Sequence, residues 1–134
     1  MATYTKFQQF VEDLAHGVHD LETDAITVAL SNTAPSASDD AVLADITTVS
    51  TAKLDDVTPT ISSSGQTSGT YKLVLADLTM TASGAVGPFR YVILYNDTAA
   101  NDPLICWYDY GSEVTLAKDD TFKLDFGTEL FSLA

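Results

Sequence analysis

The sequence predicts a mainly β fold: one N-terminal amphipathic helix packed on an antiparallel β-sandwich or jelly-roll-like barrel. Three observations lead there. From residue 26 onward, about six to eight short apolar or alternating stretches are separated by turn residues at intervals of roughly ten, the spacing of small all-β domains. Only the first twenty or so residues carry a helical period. At 134 residues, with 46% hydrophobic content and no fixed-period repeat or composition break, residues 1–134 form a single domain of ordinary size.

In chain order, Phe7, Phe10, Val11, Leu14, Val18 and Leu21 form one stripe at about 100° per residue, predicting a helix over about 5–21. Thr5 followed by Gln8 matches a capping box, and Gly17 either ends the helix or is tolerated inside it. Ile26, Val28 and Leu30 alternate with Thr27, Ala29 and Ser31 as in a half-buried strand, which Asn32-Thr33-Ala34-Pro35 ends. Residues 32–69 read as a long irregular loop: Leu43–Ile46 suits a short helical turn, and the small polar run 62–69 suits an exposed, mobile tip. Tyr71, Leu73 and Leu75 share one strand face, and the phase change at Ala76-Asp77 suggests a bulge before Leu78, Met80 and Ala82. Residues 84–88 read as a turn. Phe89–Tyr95 is apolar at nearly every position, the mark of a central strand covered on both faces. It forms a hairpin with Leu104–Tyr110 across the polar loop 96–103. Gly111-Ser112 is a turn, Val114 and Leu116 resume a strand, Thr121–Phe126 alternates, and Leu130–Leu133 closes the chain.

Charge bounds the partners. Six Lys+Arg against 19 Asp+Glu give a net charge of −13, with Arg90 the single arginine. Phosphate backbones and anionic lipid attract clustered cations, so nucleic acid and membrane surfaces are excluded as partners. No apolar run approaches the roughly 20 residues that span a bilayer, and no basic-then-apolar leader is present. The lone Cys106 rules out an intramolecular disulfide and a multi-cysteine zinc site; placed between Ile105 and Trp107 on a strand, it reads as a buried, inert thiol.

Candidate chemistry is sparse. His16 and His19 are three apart with Glu12, Asp13 and Asp20 nearby, but the wheel puts both on the solvated face with no further ligand, so no metal is expected. The Asn96/Asp97/Asn101/Asp102 loop offers the hard oxygens calcium favours, without an EF-hand pattern; turn chemistry explains it equally well. Adjacent acids at Asp39-Asp40, Asp55-Asp56 and Asp119-Asp120 do not build a carboxylate pair at fixed separation. The aromatics Phe89, Tyr91, Tyr95, Trp107, Tyr108 and Tyr110 suit either a sugar-stacking platform or, in keeping with strand aromatics generally, core and subunit interface. With no nucleophile elbow, phosphate loop or nucleotide fingerprint, the sequence indicates a protein without catalytic residues or cofactor.

The segments YTKFQQFVEDLAHGVHDL (4–21), VALSNTAP (28–35), LADIT (43–47), GPFRYVILYNDTAANDPLICWYDYG (87–111) and the closing TFKLDF resemble a family of small virion proteins of tailed bacteriophages, over most of the chain. The 87–111 block is the specific part. The chain departs from the family pattern at Cys106, where the family has Gly, and at Lys53-Leu54-Asp55-Asp56, where it has a Gly-rich segment. The resemblance implies a virion structural protein made in the host cytoplasm, in the first instance a capsid decoration or cement protein that binds the major capsid protein and self-associates, as a trimer. A tail, neck or fibre-attachment component is the alternative, and a host-surface carbohydrate-binding module a third. Under the first reading, loops 32–69 and 96–103 face partners, with Asp39, Leu43, Ile46, Asp55, Asp97, Asn101 and Trp107 as the candidate interface.

Overall fold

The structure, a computed structural model, describes residues 2–134. Its elements are β1 (Thr3–Lys6), α1 (Gln8–Ala15), β2 (Ile26–Ser31), a 3-10 turn (Leu43–Asp45), β3 (Ile61–Thr67), β4 (Thr70–Leu75), β5 (Leu78–Thr81), β6 (Val86–Asn96), β7 (Leu104–Leu116), β8 (Thr121–Leu124) and β9 (Phe131–Leu133). The strands form three antiparallel sheets, ordered β1-β7-β6-β2, β3-β4-β9 and β5-β8, and α1 packs against β7. The expected fold class is the one observed: mainly β, sandwich-like, with one short helix. All three sheets and the helix contribute to one hydrophobic cluster that includes Phe7, Phe10, Leu30, Met80, Phe89 and Ile105.

The hairpin of β6 and β7 is its spine. Phe89 and Tyr91–Leu94 are buried because β6 lies between β2 and β7 and is covered on both faces, as its unbroken apolar run requires. β7 runs on through Gly111-Ser112 to Leu116 instead of turning there. A register shift between the Phe89–Val114 and Tyr91–Asp109 pairs absorbs the extra residues of β7, with Gly111 at φ +80°. The expected turn at 84–88 is likewise already strand from Val86. Gly87 sits at φ +109°, where an added Cβ would lie 2.7 Å from the Val114 carbonyl oxygen, so only glycine fits this close approach.

The N-terminus differs from the periodicity. Residues 3–6 pair with β7 in register Thr5–Trp107 and Lys6–Cys106, and the Phe7 amide donates to the Ile105 carbonyl at 3.1 Å. The helix therefore starts at Gln8 with Phe7 as N-cap and no side-chain cap; Thr5 belongs to a strand, and the capping box does not form. It ends early because Gly17 adopts φ +74°, with Val18 donating to the Asp13 carbonyl and Gly17 to that of Leu14, a Schellman closure. Phe7, Phe10 and Leu21 are buried as the stripe predicts, whereas Val11 and Val18 face solvent.

Residues 32–60 are irregular apart from the expected short helical turn, here Leu43–Asp45, but residues 61–67 form a strand. All six residues of β2 are buried, including Thr27 and Ser31, because residues 47–57 line its free edge. Val49 donates to the Leu30 carbonyl at 2.7 Å, Val28 to that of Val57 at 2.8 Å, and the Ser31 hydroxyl to that of Thr47 at 2.6 Å. An exposed edge is thereby closed. The supposed mobile tip is a hairpin: β3 pairs with β4 up to Thr67–Thr70, around Ser68 (φ +52°) and Gly69 (φ +84°), the positive dihedrals a two-residue turn demands. Ala76-Asp77 is not a bulge but the point where the chain leaves the β4 sheet and enters the β5-β8 sheet. Regular pairing of the Thr121–Phe126 segment stops at Leu124.

Candidate interaction surface

Three loops meet where β2 begins, β6 ends and β7 begins. Their hub is Asn96, the fully buried last residue of β6. Its Oδ1 accepts the backbone N–H groups of Thr98 (2.9 Å) and Ala99 (3.0 Å), the turn chemistry an Asn-x-Thr sequence supports. Its Nδ2 donates to Asp24 Oδ2 at 2.7 Å and lies 3.0 Å from His19 Nδ1. Ala25 and residues 97–98 close the same joint: the Ala25 amide donates to Thr98 Oγ1 at 2.8 Å, and the Asp97 amide to the Ala25 carbonyl at 2.9 Å. On the other side, the Leu43 amide donates to the Asp102 carbonyl and the Leu104 amide to that of Ala41, each at 3.0 Å. Asn101 and Asp102 hold φ of +67° and +50°, uncommon for non-glycine residues and most tolerated by Asn and Asp. The 3-10 turn is fixed by Asp45, whose Oδ2 accepts the amides of Ala41 (2.9 Å) and Val42 (3.1 Å); these bonds hold its carboxyl below the usual range.

The result is a groove of about 610 Å³ with half-buried Val42, Leu43 and Ile46 and exposed Ala44 on one side and Asn101 and Asp102 on the other. Loops 36–46 and 97–102 around it carry Asp39, Asp40, Asp45, Asp97 and Asp102; loop 20–25, joined to residues 97–98, adds Asp20, Glu22 and Asp24, and the three loops hold no lysine or arginine. Of the expected interface residues, Leu43, Ile46 and Asn101 meet in the groove. Asp97 is exposed on the same loop as Asn101, and Asp39 is exposed in the turn that leads into Val42.

Two expected residues lie elsewhere. Asp55 is in a separate loop cluster, where its Oδ1 accepts the Thr81 amide at 2.8 Å. Trp107 is 8% exposed, its ring 4.6 Å from that of Phe7, which β1 delivers against it by pairing along β7. It is a core residue, and with Phe89 and Tyr91 also buried, the aromatics do not form one open platform. Tyr108 and Tyr110 instead line a groove of about 580 Å³ with Tyr4, Phe126 and Phe131. Burial pushes the Tyr108 and Tyr4 hydroxyls and the fully buried Cys106 thiol up, so none ionises near neutral pH.

The histidines also separate. His16 is exposed, but His19 is 7% exposed, because the chain reverses at Gly17 and His19 is not on the helix at all; its ring packs 5.1 Å from that of Phe10, tilted by 58°. The His19–Asn96–Asp24 cluster was not legible in the sequence; the one signal was an Asn-Asp-Thr turn closing an apolar strand. Asn96 Oδ1 already accepts two backbone amides, which removes it from the hard-oxygen set proposed for calcium. Among the described residues no group of three or more His, Cys, Asp or Glu is placed to hold a metal ion. Comparison of the chain with protein-family models, with curated proteins and with solved structures finds no significant match.

Proposed function

We propose that this chain is a non-enzymatic structural protein of a bacteriophage virion, a capsid decoration (cement) protein that binds the outer surface of the head and stabilises it. The resemblance over residues 4–21, 28–35, 43–47 and 87–111 supports the virion assignment. The observation that carries the docking role is the groove of Val42, Leu43, Ala44 and Ile46 inside loops rich in carboxylates and free of cations. Its occupant is a basic surface of the head shell that presents apolar side chains flanked by lysine or arginine. The aliphatic floor supplies the desolvated centre that dominates affinity, and the carboxylate rim supplies steering and rejects acidic partners. A net charge of −13 keeps a protein made in many copies soluble before assembly and repels it from packaged nucleic acid. Self-association about three-fold positions of the shell, as a trimer, belongs to the same proposal.

Quantitative mass spectrometry of purified virions tests it. A copy number comparable with that of the major capsid protein is expected. A few copies to a few dozen would overturn the decoration reading in favour of the tail or neck, and absence from the particle would overturn the virion assignment.

A further inference from the structure

We propose that His19 and Asn96 form a pH-responsive latch that holds the 97–103 loop in place only while the His19 ring is neutral. The orientation of the Asn96 amide is dictated by its neighbours. Its oxygen faces two backbone N–H donors, of Thr98 and Ala99, and its NH2 group faces the Asp24 carboxylate. Turning the amide over would set donor against donor at the two backbone amides and oxygen against oxygen at Asp24. The remaining N–H of Asn96 points at His19 Nδ1, 3.0 Å away, so this ring nitrogen must accept. A neutral ring then carries its proton on Nε2, which is buried and has no hydrogen-bond partner.

Protonation adds a hydrogen at Nδ1, directly against the Asn96 NH2 group. Asn96 can no longer donate to that nitrogen, and withdrawal or reversal of its amide to relieve the clash releases the Thr98 and Ala99 amides. The groups facing the ring are Asp13 on α1 and Asp24 in the loop, with Phe10 packed against it. Asp20, Glu22 and, from β4, Tyr71 line the adjoining groove. None of these is a lysine or arginine. Burial is the largest influence and lowers the ring's affinity for protons below the ordinary 6.5; Asp13 and Asp24 oppose it without reversing it. A histidine lowered in the folded state contributes stability in full above pH 6.5, and that contribution is lost as pH falls through the lowered value. Because the Asp102 carbonyl anchors Leu43, loosening of 97–103 also removes one wall of the groove. The latch itself does not depend on what the groove binds.

The test is an NMR titration of the full, 15N-labelled chain from about pH 8 to about pH 5, following both histidine rings and amide hydrogen exchange together. The expected result has three parts: His19 as the Nε2–H tautomer, protonation of its ring below the ordinary 6.5, and a rise of about tenfold or more in Thr98 and Ala99 exchange, relative to β6 core amides, as His19 charges. His19→Gln, which cannot charge, is expected to keep those amides equally protected at both pH extremes. An Nδ1–H tautomer, protonation of His19 at or above the ordinary 6.5, or Thr98 and Ala99 protection unchanged through His19 protonation would overturn the proposal, as would a His19→Gln chain that loosens in acid just as the wild type does. If His19→Gln fails to fold, the wild-type titration decides alone.

Discussion

Two Asp-rich loop clusters sit on this scaffold, and they differ in whether cations accompany their carboxylates. In the cluster of residues 53–56, 81–85 and 117–120, Asp55, Asp56, Asp119 and Asp120 share the loops with Lys53 and Lys118. Three of the four acids close local turns or strand ends: Asp55 accepts the Thr81 amide, Asp56 that of Thr58 and Asp120 that of Ala117. Backbone bonds such as Ser83 to Lys53 and Asp119 to Ala82, both 2.7 Å, tie the loops together. In the groove cluster, the buried Asn96 amide ties loop 20–25 to loop 97–102, and backbone bonds from Leu43 to Asp102 and from Leu104 to Ala41 tie in loop 36–46. The Asp97 and Asp102 carboxylates make no hydrogen bond among the described residues, and no cation lies in the three loops. Turn chemistry thus occupies carboxylates in both places, in the groove cluster those of Asp20, Asp24, Asp40 and Asp45; what sets the groove cluster apart is the absence of lysine and arginine from its loops, which leaves Asp97 and Asp102 beside an apolar floor with no cation among them.

The largest expected effect probes what the groove cluster stands on. Phe10 lies beneath it, 5.1 Å from His19 and 5.2 Å from Phe131. Phe10→Ala is expected to cost about 3–5 kcal/mol in denaturant unfolding, the usual range for a buried phenylalanine. Asn96→Ala comes next, at about 2–3 kcal/mol, because it strands buried partners as well as deleting bonds. Asp55→Ala removes an exposed cap in the other cluster and is expected to cost about 1 kcal/mol or less. Equal losses for the Asn96 and Asp55 variants in parallel urea titrations would erase the distinction between a buried hub and surface caps. Smallest in stability is Asp97→Lys, within about 0.5 kcal/mol of wild type, since its side chain is exposed and unbonded. Under the docking proposal, that same change is expected to weaken binding to heads, measured by co-sedimentation with particles stripped of the protein, whereas Asp119→Lys is expected to leave it unchanged.

What was readable in the sequence follows from where the signal is local. The β6-β7 spine announced itself because a strand covered on both faces must be apolar throughout, as Phe89–Leu94 nearly is. β3 did not, because Ile61–Thr67 is an edge strand exposed over most of its length, and its Ser-Gly composition reports that exposure instead of its pairing with β4. The helix was read too long because Phe7 and Leu21 are buried by a strand junction and a loop that happen to fall in phase with the helical stripe. Leu43 and Ile46 are apolar residues in a polar loop, a local signal that their place in the groove explains. His19 and Asn96, 77 residues apart, meet only through tertiary packing, and no local pattern encodes that contact.

The central claim, that the cation-free loops are the docking face, is tested most directly by carboxylate labelling of the protein free and on the virion, read residue by residue by mass spectrometry. The account predicts protection of Asp39, Asp97 and Asp102 on the particle while Asp56 and Asp119 remain as reactive as in the free protein. Protection of Asp56 and Asp119 with Asp39, Asp97 and Asp102 still reactive would contradict it.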